Sequence, residues 1–434
     1  MRFLLQGCAI FGFLFPTVLA QRYVFAHMIV GNTAAHTQAT WAADITLARN
    51  TGIDAFVLNM GYPDPNIYGQ VANAFAAAEA AGSGFKLFFS FDYLGGGTRW
   101  PSTGARSVVS YLNQYKNSPA YFRFNGLPMA STFEGTSDID AWAYGGVIRN
   151  NVGGIYFVPD WSSLGPGGFA QHLGKVEGAF NWDAWPTGAT NINTAGDVQW
   201  RNMLGAKSYM MPVSPWFFRS ANGGNRWVWR GDDSWADRWA QVISFAPTFV
   251  QIISWNDFGE SHYVGPVRSA NEIPAGSGIY VDGQSHESWL DFLPYYIAKY
   301  KGSSFTITRD QMQYWYRNAP LGGGGTCGVV GNDAGHGEQQ ISPNAILYDG
   351  IFASALLKSP AAVHVQIGSN PVIIHNFGAG LTHWSQCFCG QTGVPKFWVV
   401  RNGVTTGSGT GKAINPSTSL SNGCTNYNPW VGSF

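Results

Sequence analysis

Eight short apolar runs, alternating with helical patterns between residues 23 and about 300, constrain the fold of this chain most strongly. The runs occupy residues 23–30, 53–60, 85–92, 128–134, 154–160, 178–183, 208–213 and 249–255. Near-continuous hydrophobicity is expected of strands that are buried on both faces of a parallel sheet. Because strands that alternate with helices indicate successive βα units, the pattern predicts an α/β fold, a (β/α)8 or TIM barrel.

The segments between the runs carry helix boundary signals. Pro65 precedes and Gly82 follows the alanine-rich stretch 71–81, while Ser234 precedes the stretch 235–245. Proline near the first turn, serine at the N-cap and glycine after the last turn are all typical of helix ends. These stretches are therefore predicted to be helices of the βα units.

The sequence changes character after Tyr316. Pro320 and the glycines at 322–325 predict a linker. Strand-like patterns and a hairpin turn signal follow, at 362–367, 372–375, 397–400 and 401–403. A chain of 434 residues has room for a barrel and a smaller partner. We predict a catalytic barrel at residues 21–320 and a disulfide-containing C-terminal β-sandwich at residues 321–434.

Residues 1–20 have the pattern of a secretory signal peptide. Arg2 is followed by an apolar run that ends in the small residue Ala20, as expected before a cleavage site. A buried helix or a membrane anchor is the alternative, but the run is short and contains Pro16. We predict a secreted, extracellular protein that begins at Gln21 and has no membrane association after cleavage.

Four cysteines remain after residue 20, all in the last quarter of the chain: Cys327, Cys387, Cys389 and Cys424. An even number in a secreted protein predicts two disulfides. Cys387 and Cys389 are so close in sequence that each is expected to pair with Cys327 or Cys424, in an order that the sequence leaves open. A zinc site is the alternative, but no histidine cluster with suitable spacing accompanies the cysteines.

The composition narrows the class of partner. Lys+Arg and Asp+Glu both number 25, so the chain has no excess of positive charge to bind nucleic acid or anionic membrane. Charged residues make up only 12% of the chain and aromatic residues 15%, with 18 tryptophans. A surface rich in aromatic rings suits a neutral, ring-shaped ligand such as a sugar.

Polar residues lie at or just after the C-terminal ends of seven of the eight predicted strands. They are His27, Asn59, Asp92, Glu134, Asp160, Asp183, Asp257 and Glu260. In barrels of this type the reacting groups come from these ends and from the loops beyond them. A polar group that ends an apolar strand is costly to desolvate unless it is paired or used. The pattern predicts one polar pocket.

Asp257 and Glu260 belong to the densest segment, Ser254 to Ser261. Glycoside hydrolysis needs one protonated carboxyl for the leaving oxygen and one ionised carboxylate for water or the sugar. Two carboxyls three residues apart could hold their pKa values apart by repulsion. The alternative is that one of them only caps a helix or pairs with arginine.

Aromatic side chains near the strand ends are candidates for stacking on sugar rings. For each one alone, simple packing at the mouth of the barrel is the competing interpretation. The predicted substrate-binding set combines these residues with the polar strand ends: Trp161, Trp185, Trp216, Trp255, Tyr93, Asn256, His27, Asn59, Glu134, Asp160 and Asp183.

Other chemistries lack their signals. The sequence has no Gly-x-Ser-x-Gly elbow and no Walker loop, and no cysteine lies in the predicted barrel. His27, His36, His172 and His262 lack a tight metal-ligand spacing, so each is expected to be a hydrogen-bonded residue. We expect no cofactor and no metal.

Four segments, taken in order, resemble glycoside hydrolase family 71, the fungal α-1,3-glucanases or mutanases. They are Val24 to Asn32, Gly52 to Asn59, Lys86 to Asp92 and Ser254 to Ser261. The resemblance implies a (β/α)8 barrel with an accessory β-sandwich, and hydrolysis of α-1,3-glucan with inversion at the anomeric carbon. It places the catalytic pair on Asp257, as general base, and Glu260, as general acid, and the two roles could be exchanged. Asp92 is then the natural third carboxylate, holding the water or replacing Asp257 as base.

Two other functions compete with a monomeric, secreted α-1,3-glucanase. One is a non-catalytic glucan-binding protein that uses the same aromatic cleft, although three carboxylates count against it. The other is a barrel hydrolase that acts on a different glycan. The C-terminal domain is expected to be a scaffold packed on the barrel, with glucan binding as its alternative role.

Overall fold

The computed structural model of the protein describes residues 21–82, 84–220, 224–333, 335, 337–416 and 419–434. The predicted signal peptide, residues 1–20, lies outside the described residues. Among the helices of the described residues, none has the length and apolar character needed to cross a bilayer.

Each predicted apolar run overlaps a strand of one mostly parallel sheet. The strands before residue 300 are β1 (Tyr23–Ile29), β2 (Ala55–Gly61), β3 (Lys86–Asp92), β4 (Arg123–Phe124), β5 (Leu127–Phe133), β6 (Tyr156–Phe157), β7 (Gly178–Phe180), β8 (Ser208–Val213), β9 (Phe218–Arg219), β10 (Trp227–Val228) and β11 (Phe249–Ile252). Interior residues of the long strands are buried on both faces, as the apolar runs predicted.

The sheet curls because each strand is rotated relative to its neighbour by the right-handed strand twist. Its order is β5, β3, β2, β1, β11, β8 and β7, with β6 paired to β5 and the short β4 antiparallel to β5. The backbone of Asp160 pairs with Phe133 of β5 and with Phe180 of β7, which lie near the two ends of this order. The C-terminal ends of the parallel strands therefore share one rim.

Helices pack between and outside the strands. They are α1 (Gln38–Asn50), α2 (Ile67–Ala81), α3 (Val108–Tyr115), α4 (Ile139–Trp142), α5 (Val147–Val152), α6 (Gly165–Phe169), α7 (Ala195–Leu204), α8 (Ser234–Phe245), α9 (Gly278–Val281) and α10 (Leu293–Tyr300). Helix α2 ends at Gly82 in the left-handed conformation, with φ 53°, as its sequence predicted. The N-cap of α8 is Asp233, and the predicted cap Ser234 is the first helical residue.

Most strands in the rest of the chain form two antiparallel four-stranded sheets. Its elements are β12 (Gln311–Tyr316), β13 (Val330–Gly331), α11 (Pro343–Ile346), β14 (Gly350–Leu357), β15 (Ala361–Ile367), β16 (Ile373–Phe377), β17 (Gly380–Cys387), β18 (Pro395–Arg401), β19 (Val404–Thr410) and β20 (Trp430–Ser433). One sheet has the order β17, β14, β12, β20 and the other β16, β15, β18, β19. Strand β12 lies upstream of the predicted boundary at 320, so this sheet begins before the predicted linker.

The two sheets share a hydrophobic core of their own. Tyr314 of β12 stacks on Phe397 of β18, with ring centroids 3.7 Å apart. Strands β18 and β19 form the predicted hairpin, in which Arg401 pairs with Val404. Asn402 and Gly403, between them, both have positive φ, as a two-residue hairpin turn requires.

The expectation that Cys387 and Cys389 pair with the two outer cysteines is wrong. The disulfides are Cys327–Cys424 and Cys387–Cys389. Cys389 has a left-handed backbone with φ 49°, and the Cα atoms of Cys387 and Cys389 lie 5.3 Å apart, within the range that a disulfide spans. Separation along the sequence does not exclude a disulfide where a turn brings the two residues together.

Candidate active site

A compact polar cluster follows β11, in the segment that the sequence marked as the densest. Nε2 of His262 lies 3.1 Å from Oε2 of Glu260 and 3.6 Å from Oδ2 of Asp257. The side chain of His262 is 1% exposed, whereas Asp257 and Glu260 are 17% and 30% exposed. The two carboxyls therefore reach the surface of a cleft, and the imidazole behind them is buried.

Ser254 forms hydrogen bonds with two residues of the cluster. Its hydroxyl oxygen accepts the backbone N–H of Asp257 at 2.8 Å and lies 2.9 Å from Nδ1 of His262. The Asp257 carboxylate in turn accepts the backbone N–H of Glu260 at 3.1 Å. A neutral imidazole whose Nδ1 accepts the serine proton keeps a proton on Nε2, which can then donate to Glu260. This arrangement gives the buried imidazole a partner on both sides.

Burial raises the pKa of Asp257 to about 6, and repulsion from Glu260 adds to the effect, while His262 opposes it. Withdrawing a carboxyl from water disfavours its charged form, and a second carboxyl nearby does the same. A carboxyl with a pKa near the working pH is suited to donate a proton to a leaving group.

Asp92, at the end of β3, lines the same cleft as Asp257 and Glu260, and the volume of this cleft is about 580 Å³. Its carboxylate accepts the backbone N–H groups of Leu94 at 2.9 Å and Gly95 at 2.6 Å. Burial raises the pKa of Asp92, and the hydrogen bonds from these amides and from Asn59 oppose the shift. A Cβ on Gly95 would lie 2.8 Å from Oδ2 of Asp92, so a larger residue at this position would displace the carboxylate. The cleft is also lined by Phe133, Arg219, Gly259, Pro274 and Ser277.

Asp257, Glu260 and His262 could hold a metal ion, because one ligand atom from each of them lies within 4.8 Å of the others. Two carboxylates and an imidazole are a donor set that suits several divalent cations. The hydrogen bond between His262 and Glu260 also satisfies these groups without an ion. The expectation that no metal is needed stays a prediction.

Three of the predicted polar strand ends have hydrogen-bond partners within the protein. His27 is 3% exposed, bonds to Gln251 at 2.9 Å, and has a pKa that burial lowers to about 3. Asp160 is fully buried and accepts the N–H and hydroxyl of Ser162. Glu134 bonds the backbone N–H and hydroxyl of Ser163. These contacts connect the strand ends to neighbouring segments of the chain.

Three predicted sugar-stacking tryptophans have no open face. Trp161, Trp216 and Trp255 are 0%, 0% and 1% exposed. Trp161 packs against Phe157, and Trp255 packs against Phe56. The competing interpretation, packing at the mouth of the barrel, describes these three residues.

Two further predicted contact residues also have internal partners. Tyr93 is 5% exposed, and its hydroxyl accepts the Nε1–H of Trp142 at 3.0 Å. Asn256 forms a paired hydrogen bond with the backbone of Ile29, at 2.8 and 3.0 Å. Asn256 therefore ties the segment that carries Asp257 to the end of β1.

Trp185 is the predicted tryptophan that lies beside the cluster. It is partly buried, and its ring centroid is 5.5 Å from that of His262. Asp183, two residues earlier, is exposed at the same rim. Sequence reasoning did not assign His262, Ser254 or Arg219 to the site. For His262, the available sequence signal was its position two residues after Glu260.

Comparison with known proteins identifies the family of this chain. The profile of Glycosyl hydrolase family 71 matches residues 20–434. The chain is 32% identical to the glucan endo-1,3-alpha-glucosidase agn1 of Schizosaccharomyces pombe, across 100% of this chain and 99% of that protein. It is 34% identical to a mutanase of Penicillium rubens, across 95% of this chain and 88% of that protein.

Among solved structures, the GH99 endo-alpha-mannosidase of Bacteroides thetaiotaomicron is similar to 64% of this chain, with 97% of that chain covered, 16% identity and a TM-score of 0.49. The family assignment depends on the profile and on the two full-length relatives. The family resemblance expected from the four segments is confirmed: this chain belongs to glycosyl hydrolase family 71.

Proposed function

We propose that this protein is a secreted enzyme that hydrolyses the α-1,3-glucosidic bonds of α-1,3-glucan, with inversion at the anomeric carbon. The observation that carries the proposal is the juxtaposition of Asp257 and Glu260 beside the cleft that Asp92 also lines. The substrate follows from the relatives, which are named as a glucan endo-1,3-alpha-glucosidase and a mutanase.

We assign the role of proton donor to Asp257 and not to Glu260, because burial and the nearby Glu260 raise the pKa of Asp257 to about 6. This assignment exchanges the two roles that the family resemblance implies. The water-activating base is then Glu260, the partner that the family resemblance implies. Distance favours a second candidate: oxygens of Asp257 and Glu260 lie within 4.8 Å, whereas inversion usually needs carboxyls about 6.5–9.5 Å apart. Asp92 lines the same cleft and is this second candidate for the base.

Activity on a substrate whose leaving group needs no protonation distinguishes the acid from the base. Fluoride leaves without protonation, so Asp257→Asn should lose activity on α-1,3-glucan and keep much of its activity on an α-1,3-linked glucosyl fluoride. The variant that lacks the base should lose both activities. If Glu260→Gln loses both activities and Asp92→Asn does not, Glu260 is the base. If Asp92→Asn loses both activities and Glu260→Gln does not, Asp92 is the base. Loss of fluoride hydrolysis in Asp257→Asn would overturn its role as acid.

Activity and stereochemistry are tested together by incubating the purified chain with insoluble α-1,3-glucan and following released sugars by NMR at early times. We expect the β-anomer to appear first. Early α-anomer would overturn inversion. Sedimentation with the polymer without release of sugar would favour the glucan-binding protein, and release from another glycan alone would overturn the substrate.

We also propose that the curled sheet is a (β/α)8 barrel at residues 21–320, and that residues 321–434 complete a β-sandwich domain. The pairing of Asp160 with both end strands of the sheet supports the first, and the core shared by the two antiparallel sheets supports the second. Secretion predicts that the protein recovered from culture medium begins at Gln21. A monomer predicts a single-chain mass in light scattering after size exclusion.

A further inference from the structure

An aromatic stack lies behind the catalytic cluster and contacts His262. The rings of Trp185 and Phe217 lie 5.5 Å and 5.9 Å from the ring of His262. Trp229 stacks on Trp185, with centroids 5.1 Å apart and planes at 10°, and meets Phe217 edge-on at 4.6 Å. The stack therefore limits how the buried imidazole can turn.

Glu338, from the segment that follows β13, holds one side of this stack. One of its carboxylate oxygens accepts the Nε1–H of Trp229 and the backbone N–H of Asp333, both at 2.7 Å. The other oxygen accepts the hydroxyl of Thr187 at 2.8 Å. Trp229 is 8% exposed, and the carboxylate of Glu338 is the hydrogen-bond acceptor of its N–H.

A second C-terminal segment holds the other side. Nε1–H of Trp185 donates to the carbonyl of Trp216 at 2.9 Å, and Nε1–H of Trp216 donates to the carbonyl of Tyr427 at 3.0 Å. The Cys327–Cys424 disulfide joins the segment before Glu338 to the segment before Tyr427. Trp229 is thus bonded directly to a C-terminal residue, and Trp185 is connected to one through Trp216.

A backbone connection runs in parallel with these side chains. Strand β13 pairs with β10, and β10 pairs with β9. The backbone N–H of Phe218, in β9, donates to the carbonyl of Glu260 at 3.0 Å. The segment that carries Glu338 is therefore hydrogen-bonded through two short strands to the loop of the catalytic carboxyls.

We propose that Glu338 is a positioning residue for catalysis, and that the C-terminal segments complete the active site. The inference deepens the proposed function and rests on it. Without the Glu338 carboxylate, the N–H of Trp229 is left buried and unpaired, and the stack relaxes to find a partner. His262 then loses the ring contacts that aim its Nε2 at Glu260 and Asp257. Glu338 acts through these rings and does not touch the substrate in this arrangement.

The test compares Glu338→Ala with Glu338→Gln on a soluble α-1,3-linked glucooligosaccharide. The glutamine oxygen can still accept from Trp229, and its amide can donate to Thr187, so we expect near wild-type kcat. For Glu338→Ala we expect kcat to fall at least about tenfold with KM changed less than about threefold. We also expect a displaced basic limb of the pH profile, because the surroundings of Asp257 change.

The matched control is Asp310→Asn, which breaks an ion pair to Arg401 in the same C-terminal region, away from the stack. It should lower the thermal midpoint while kcat per folded molecule and the pH profile stay at wild-type values. Wild-type kcat and pH profile in Glu338→Ala, or losses that only follow the folded fraction in both variants, would overturn the proposal. An inactive wild-type protein would instead overturn the proposed function.

Discussion

At the scale of single residues, Asp257 makes the fold less stable at neutral pH because its charged form is poorly solvated. Its pKa is about 6 in the folded protein, against 3.8 for an ordinary aspartate. The folded state therefore binds this proton more tightly than the unfolded state does. Stability contributed by Asp257 is present below pH 4 and is lost as pH rises to about 6.

Asp257→Asn should therefore be more stable than wild type at pH 7, by up to ~3 kcal/mol, and similar to wild type at pH 4. Denaturant unfolding at the two pH values measures the difference. Asp140→Asn, at a site 93% exposed, should show no comparable change with pH. A stability difference between Asp257→Asn and wild type that is the same at both pH values would contradict the pKa shift.

The sequence predicted the position of the carboxylates better than the exposure of the tryptophans. A polar residue at a strand end is costly unless it is used, so Asp92 and Asp257 could be located from the chain alone. Trp161 and Trp216 also lie after strand ends, but whether a ring is covered depends on segments distant in sequence. The carbonyl of Tyr427 accepts the indole N–H of Trp216, and no local sequence pattern predicts that contact.

At the scale of elements, the long parallel strands were predictable because each is a continuous apolar run. The short strands that connect the C-terminal region to the catalytic loop were not predictable. Strands β9, β10 and β13 have two residues each, too few to show a period of two. They exist because distant backbone groups need hydrogen-bond partners.

The two disulfides should differ in importance. Cys327–Cys424 closes a separation of 97 residues and Cys387–Cys389 one of 2, and the stabilisation by a disulfide grows with the loop that it closes. Replacing Cys327 and Cys424 with serine should cost about 4–5 kcal/mol and lower kcat, because their segments hold the aromatic stack. The matched double variant at Cys387 and Cys389 should keep wild-type kcat and lose less stability.

Chemical denaturation and initial rates on soluble oligosaccharide measure both effects. Equal losses in the two double variants would show that the segments near Cys327 and Cys424 have no special role at the active site.

At the scale of the whole molecule, the curled sheet and the C-terminal region share one hydrophobic core. Trp315, Phe352, Leu356 and Val431 belong to the same buried cluster as the strands of the sheet. The indole N–H of Trp315 donates to the carbonyl of Asp232 at 2.7 Å. The predicted linker therefore does not separate two independent cores, although the two antiparallel sheets also have a further core of their own.

A chain that ends at residue 320 should not fold on its own. It keeps β12 but loses both of its neighbours, β14 and β20, and it exposes the core surface that Phe352, Leu356 and Val431 cover. Each of these side chains contributes about 1.5–3 kcal/mol by its burial, which together approaches the whole stability of a typical domain. We expect an aggregated or non-cooperative product without glucanase activity.

Co-expression with residues 321–434 provides the control, because the missing strands are then supplied in trans and should restore soluble, active protein. A truncated chain that unfolds cooperatively and hydrolyses α-1,3-glucan at the wild-type rate would show that the curled sheet is self-sufficient. It would also remove the basis for assigning Glu338 to the active site, since the barrel would then hold its catalytic carboxyls without the C-terminal segments.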